Sequence, residues 1–305
     1  MRNGSIVLAV LLVILIAPAA YAGTWTTIDL GTTNTMTNVR GVSTNDVLIA
    51  GKDTVARYDG TNVTIDPNVQ PTNYMRAIWD SASDDIFVSG SSGDIYHYDG
   101  TEWASMNSGT GQTLWGIWGS VSNDVYAVGS DGVLLNYDGT EWVSMTSNTT
   151  ERLKGIWGSG SDDIFTVGYN GTILHYDGIE WAAMDSGTGE DLFSVYGTAA
   201  DDVYAVGNSG TILHYDGTNW NDIDNDISDR FLGVWSGASD DIFAVGEDGL
   251  ILYYNGETWE SLDNPATKRI NGVWGDGEGT AYFVGQDDVL MIYSYGNPVP
   301  VPAAV

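Results

Sequence analysis

A 39-residue motif recurs seven times in this chain, and no other feature narrows its fold as far. The glycine closing the motif's D-I-F-x-V-G segment stands at Gly51, Gly90, Gly129, Gly168, Gly207, Gly246 and Gly285, each 39 residues after the last. The residue opening that segment is Asp46, Asp85, Asp124, Asp163, Asp202 and Asp241, with Thr280 in the seventh place. Repetition at this period means that each unit buries its apolar faces only against its neighbours.

Each unit reads as four short strands, expected in the third copy at residues 114–118, 124–129, 133–137 and 142–145. Ser, Asn, Asp and Gly separate them, and Asp138-Gly139 is a favoured hairpin turn. The second strand is apolar on both faces (Val125, Tyr126, Ala127, Val128), so each sheet is covered on both sides. No stretch after residue 22 has helical periodicity. Seven four-stranded sheets, each between two like neighbours, make an all-β seven-bladed β-propeller. The seventh unit stops after its third strand, while an orphan segment beginning Trp25 lies in the fourth-strand register of 64, 103, 142, 181, 220 and 259. The N-terminal strand is therefore expected to complete the last blade and remove both open edges. Eleven of the 12 tryptophans occupy two repeat registers and are expected to pack between blades; Trp115 alone falls outside them.

Composition excludes several classes of function. With 41 acidic residues against 10 Lys plus Arg, the net charge is −31, a field that repels nucleic acid. The absence of cysteine excludes disulfides, thiolate metal sites and thiol nucleophiles. Arg2, the apolar run 6–16 and Ala20-Tyr21-Ala22 together have the form of an export signal cleaved before Gly23. The expected organisation is a signal peptide (1–22), a propeller (23–296) and a Pro-rich tail (297–305). The apolar run is too short to span a bilayer comfortably, so no membrane span is expected once the signal is removed.

The segments SDDIFAVG and GTILHYDGTNW resemble the repeats of the WD/YVTN/BNR-like propeller group of secreted bacterial and archaeal proteins. The turn Tyr98-Asp99-Gly100-Thr101-Glu102-Trp103 is similar to the Asp-box of sialidase-type propellers, although its loop is shorter and its serine is missing. Both resemblances imply the fold and leave function open, since the Asp-box is a turn device. Residues 297–305, NPVPVPAAV, resemble the start of a PEP-CTERM sorting signal, which in that family continues into an apolar helix and basic tail and is processed by an exosortase. The alternative for these residues is a plain Pro-rich tail.

No catalytic residue stands out. The constant step leaves no long insertion to build a pocket, and no HExxH, GxSxG or P-loop pattern occurs. His97, His175 and His214 share one third-strand register and read as packing positions. The paired aspartates before the second strand (Asp84-Asp85, Asp162-Asp163, Asp201-Asp202, Asp240-Asp241) are expected to cap turns through backbone N–H groups. Calcium, which takes six to eight oxygens, is the lesser reading, and no metal or cofactor is expected.

Charge placement is more informative. Acidic residues gather in the turns after the first and third strands. Arg40, Lys52, Arg76, Arg152, Lys154, Arg230, Lys268 and Arg269 are expected on the other face. Trp115 shares a register with Arg76 and Lys154 and is expected to present an exposed ring there. The candidate ligand-binding residues are therefore Trp115, Arg76, Arg152, Lys154, Arg230, Lys268 and Arg269. The expected function is a secreted, non-enzymatic binding or scaffold module with an extracellular protein or polysaccharide partner. The rivals are a sialidase-like or lyase-type glycan-cleaving enzyme and a purely architectural surface subunit. A third possibility for the basic residues is simple compensation of Glu151, Glu190, Asp191 and Asp229.

Overall fold

The computed structural model describes residues 23–66, 69 and 74–296; the expected export signal and Pro-rich tail lie outside the described residues. Seven antiparallel four-stranded sheets form a seven-bladed β-propeller. In the third blade the strands are Leu114–Val121, Asp124–Gly129, Leu134–Tyr137 and Trp142–Ser144, close to the expected spans. Helical turns among the described residues are single 3-10 turns such as Ser130–Gly132, and no helix there is long and apolar enough to cross a membrane.

The ring closes as the repeat arithmetic requires. Thr24–Asp29 pairs antiparallel with Val289–Ser294, from Thr24 opposite Ser294 to Asp29 opposite Val289. Trp25 faces Tyr293, as Trp142 faces Tyr137 in the third blade. The first strand of blade one, Met36–Ser43, packs on its counterpart in blade seven, Ile270–Gly275.

The blade-to-blade core is built from a tryptophan resting on a glycine of the next blade. The indole of Trp118 lies over Gly158, where a Cβ would come within 2.7 Å of the ring, and Trp79, Trp157, Trp235 and Trp274 meet Gly119, Gly197, Gly275 and Gly41 in the same way. All five first-strand tryptophans are buried. In the fourth-strand register Trp142, Trp181 and Trp220 are buried, while Trp25, Trp103 and Trp259 are half-buried.

Two expectations need correction. In blade one, Tyr58 pairs with Val63, so Val63 rather than Thr64 holds the fourth-strand tryptophan position. The turn after Gly51 is one residue shorter than its counterparts, and the link to blade two restores the step. A constant glycine spacing therefore concealed a local slip, which one residue is enough to cause in a two-residue pleat.

The second concerns the aspartates. Backbone capping falls to the Asp-Gly turns: Asp138 Oδ1 accepts the N–H groups of Thr140 at 2.8 Å and Glu141 at 3.0 Å. The aspartate opening the second strand instead ties strands together through side chains. Asp163 receives the Ser159 hydroxyl on Oδ2 at 2.5 Å and faces His175 Nε2 across 2.7 Å on Oδ1. The equivalent partner is Arg57 for Asp46, His97 for Asp85, Asn136 for Asp124, His214 for Asp202 and Tyr253 for Asp241. In blade seven both members change, to Thr280, which stands opposite Ser294, and Ile292, which stands opposite Tyr282, so the acid and its partner are both replaced. The histidines also stack on the ring of the second strand, as His175 does on Phe165 at 4.4 Å.

Candidate functional site at the channel mouth

The second residue of each first strand points into the central channel, so the repeat sets seven side chains in a ring: Thr37, Arg76, Trp115, Lys154, Phe193, Leu232 and Asn271. The channel encloses about 610 Å³. Two residues earlier in each repeat lies an outer set containing Tyr74, Arg152, Asp191, Arg230 and Arg269. The residue after each repeat glycine adds a third, including Ser130, Tyr169, Asn208 and Glu247.

The second and third sets are bolted together by backbone. Tyr169 N–H donates to the Arg152 carbonyl at 3.0 Å, and the equivalent bond recurs in all seven blades, from Lys52 to Thr35 through Gln286 to Arg269. This explains the repeat glycine. A Cβ on Gly168 would stand 2.2 Å from the same Arg152 carbonyl oxygen, so only glycine lets the two turns approach. The mouth is thereby held on rigid backbone rather than on long loops.

Cations and aromatic rings meet around that mouth. The Arg76 guanidinium lies 4.5 Å from the Tyr74 ring and 4.4 Å from the Trp115 ring. Lys154 Nζ lies 3.3 Å from the Trp115 ring, and the Arg152 guanidinium 5.5 Å from it. Arg152 also sits 4.8 Å from the Tyr169 ring and donates to its hydroxyl at 3.0 Å. Arg230 lies 5.4 Å from the Phe193 ring. Attraction to the ring quadrupole offsets part of the repulsion among these cations.

Carboxylates reach only some of them. Among the described residues none lies within ion-pairing distance of Arg76, Arg152 or Lys154, while Arg230 and Arg269 share Glu247 at 3.7 and 3.9 Å. The acids expected as compensators serve elsewhere: Asp191 accepts the Asn170 N–H, Glu151 the Asn170 side chain, and Glu190 the Ser209 hydroxyl. Arg76 Nε and Arg269 Nε are buried and have no hydrogen-bond partner among the described residues. Desolvation, reinforced by Arg76, Arg152, Arg230 and Arg269, brings the Lys154 ammonium down to about 7.

Six of the seven candidate residues thus come together. Lys268 stays on the rim, exposed, its ammonium 3.4 Å from Asp287. Arg40, expected on this face, belongs to the first-strand tryptophan register and meets Asp80 at 2.6 Å. Trp115 is not a free platform. It is half-buried, covered by its ring neighbours Arg76 and Lys154, and donates from Nε1 to Ser130 at 3.1 Å. Tyr74, Tyr169 and Phe193 were missed, although Phe193 lies 39 residues after Lys154 and so shared the legible register.

No family model matches this sequence, and no curated protein matches it. Solved structures do match its fold. YCF48 bound to D1 peptide aligns with a TM-score of 0.74 at 16% identity, covering 88% of this chain and 96% of that one. Virginiamycin B lyase from Staphylococcus aureus aligns at 0.78 and 13% identity, covering 89% and 99%. The WD40 β-propeller domain of Doa1 aligns at 0.75 and 14% identity, covering 88% and 95%. These likenesses carry the propeller fold and no activity.

Proposed function

We propose that this chain is an exported, non-enzymatic binding propeller whose channel mouth takes an anionic group of an extracellular partner. The observation that carries this reading is the pair of buried, unpartnered Nε donors on Arg76 and Arg269 within a cation cluster that lacks enough carboxylates. Buried donors without partners are costly, and an arriving carboxylate or sulfate would satisfy them. Export rests on the residues 1–22. A neighbouring propeller described as bound to a peptide agrees with a binding role, and a neighbouring lyase keeps the fold compatible with catalysis.

Retention on immobilised polygalacturonate, an acidic polysaccharide, tests the reading. The wild type is expected to bind and to elute with salt, because screening weakens such contacts. Arg152→Glu, Arg230→Glu and Arg269→Glu combined should abolish binding, whereas Asp162→Asn, Asp201→Asn and Asp240→Asn combined, on the acidic face, should not. Equal retention of both triple variants, or no retention of the wild type, would return these arginines to an architectural role.

A further inference from the structure

The cation cluster contains one group that a simple anion seat does not need. Lys154 stands second in its first strand, half-buried, with Nζ against the Trp115 indole and lining the channel. It has no carboxylate partner among the described residues, and four guanidinium groups surround it at the mouth. Burial among like charges is the arrangement that turns a lysine into an uncharged amine nucleophile.

We propose that Lys154 is a carbonyl-capturing amine for 2-oxo carboxylates, with the carboxylate seated on Arg76, whose guanidinium shares the Trp115 ring with the amine. This rests on the anion seat proposed above and adds a covalent function to it. The chemistry balances without a further reactant. The Nζ lone pair forms a C–N bond to the ketone carbon as the C=O π bond opens, and one proton passes from the nitrogen to the oxygen to give a carbinolamine. Loss of that hydroxyl as water, with the second amine proton, leaves an imine.

The placement suits the step. The guanidinium of Arg76 and the amine of Lys154 approach the same indole, at 4.4 and 3.3 Å, so a carboxylate on the first would hold an adjacent carbonyl near the second. Asp191, the acid of the outer set, accepts the Asn170 N–H and an Asn208 amide hydrogen and makes no ion pair with the amine. Burial and the surrounding guanidinium groups bring the ammonium down to about 7, so more of it is uncharged at neutral pH than of an exposed lysine.

The chain offers its own controls, since Lys52 and Lys268 are its two other lysines. The full chain would be treated at pH 7 with pyruvate and borohydride, and in parallel with methyl pyruvate, and each lysine's reductive label read by peptide mass spectrometry. Pyruvate is expected to label Lys154 at least about tenfold faster than Lys52 or Lys268, the direction set by its larger uncharged fraction. That selectivity should shrink with methyl pyruvate, which lacks the carboxylate, and in Arg76→Gln. Lys154→Arg should lose the fast label and keep the slow ones. Labelling of Lys154 no faster than the other two lysines would overturn the proposal, as would equal selectivity for pyruvate and its ester. Either failure leaves the polygalacturonate result untouched, so the two readings fall separately.

Discussion

Arg40 Nε lies 2.6 Å from Asp80 Oδ1, at a blade junction where, among the described residues, this ion pair stands in place of an aromatic ring on a small residue. Arg40 stands in the register of Trp79 and Trp118, and Asp80 in that of Gly119 and Gly158. Blade five makes a milder change, with Tyr196 against Ser236. The two members of the contact have changed together: where the large ring is gone, the glycine is no longer needed.

That coupling gives a double-mutant prediction. Asp80→Gly alone leaves the Arg40 guanidinium short of a partner, and Arg40→Trp alone drives an indole onto Asp80. Each should destabilise by about 1–3 kcal/mol. The double variant rebuilds the contact found at Trp118 and Gly158 and should recover most of that loss. Urea unfolding of the four proteins would show it as strong non-additivity; simple addition of the two costs would refute the coupling.

The two kinds of tryptophan should separate by stability. Trp157 is buried against Gly197, so Trp157→Ala should cost about 3–5 kcal/mol. Trp115→Ala should cost less, because the ring is half-buried, and its cost should shrink in salt as repulsion among the uncovered cations is screened. Equal, salt-independent costs would mean that Trp115 is an ordinary core residue.

Ring closure depends on the N-terminal strand. Removing residues 23–30 exposes the edge of Val289–Ser294 and takes away the stacking of Trp25 on Tyr293 at 4.6 Å. The melting temperature should fall sharply and cooperativity with it. An unchanged thermal transition would show that the last blade does not need its fourth strand.

A buried acid makes stability depend on pH. Asp241 is 1% exposed, and both its oxygens lie 2.9 Å from the Tyr295 hydroxyl. Burial pushes its carboxyl up to about 6, partly countered by hydrogen bonds from Tyr295 and Tyr253. Because the folded value lies above the unfolded one, the fold favours the protonated acid. That contribution is complete below about pH 4 and is lost as pH rises through 6, at most about 3 kcal/mol for a shift of this size. The stability of the wild type relative to Asp241→Asn should therefore fall from pH 4 to pH 7, which chemical unfolding across that range would measure. A flat difference would place the acid in a more solvated setting.

Much of the site was legible as register. Arg76, Trp115 and Lys154 fall at one repeat position, and Arg152, Arg230 and Arg269 at another. Their grouping on one face followed from strand alternation. Arg40 was misplaced because its charge was read without its register, which is that of the core tryptophans. The roles of the aspartates were also out of reach. Asp138, in a hairpin turn, and Asp163, opening a second strand, are the same residue type, and only the partner distinguishes a backbone cap from a strand tie.

The sequence by itself determined the number of blades, their four-strand pattern and the completion of the last blade by the first strand. Those properties follow from local strand and turn preferences repeated at a constant step, together with apolar faces that only like neighbours can cover. The tertiary structure alone decided which charges meet. Arg76, Trp115 and Lys154 are 39 residues apart in sequence and become neighbours only when the ring curves their strands around one axis. The hydration lost in that approach lowers the Lys154 ammonium, and the turns' backbone bonds send the nearby acids to other partners. Desolvation and pairing depend on distances across blades, which no spacing along the chain records.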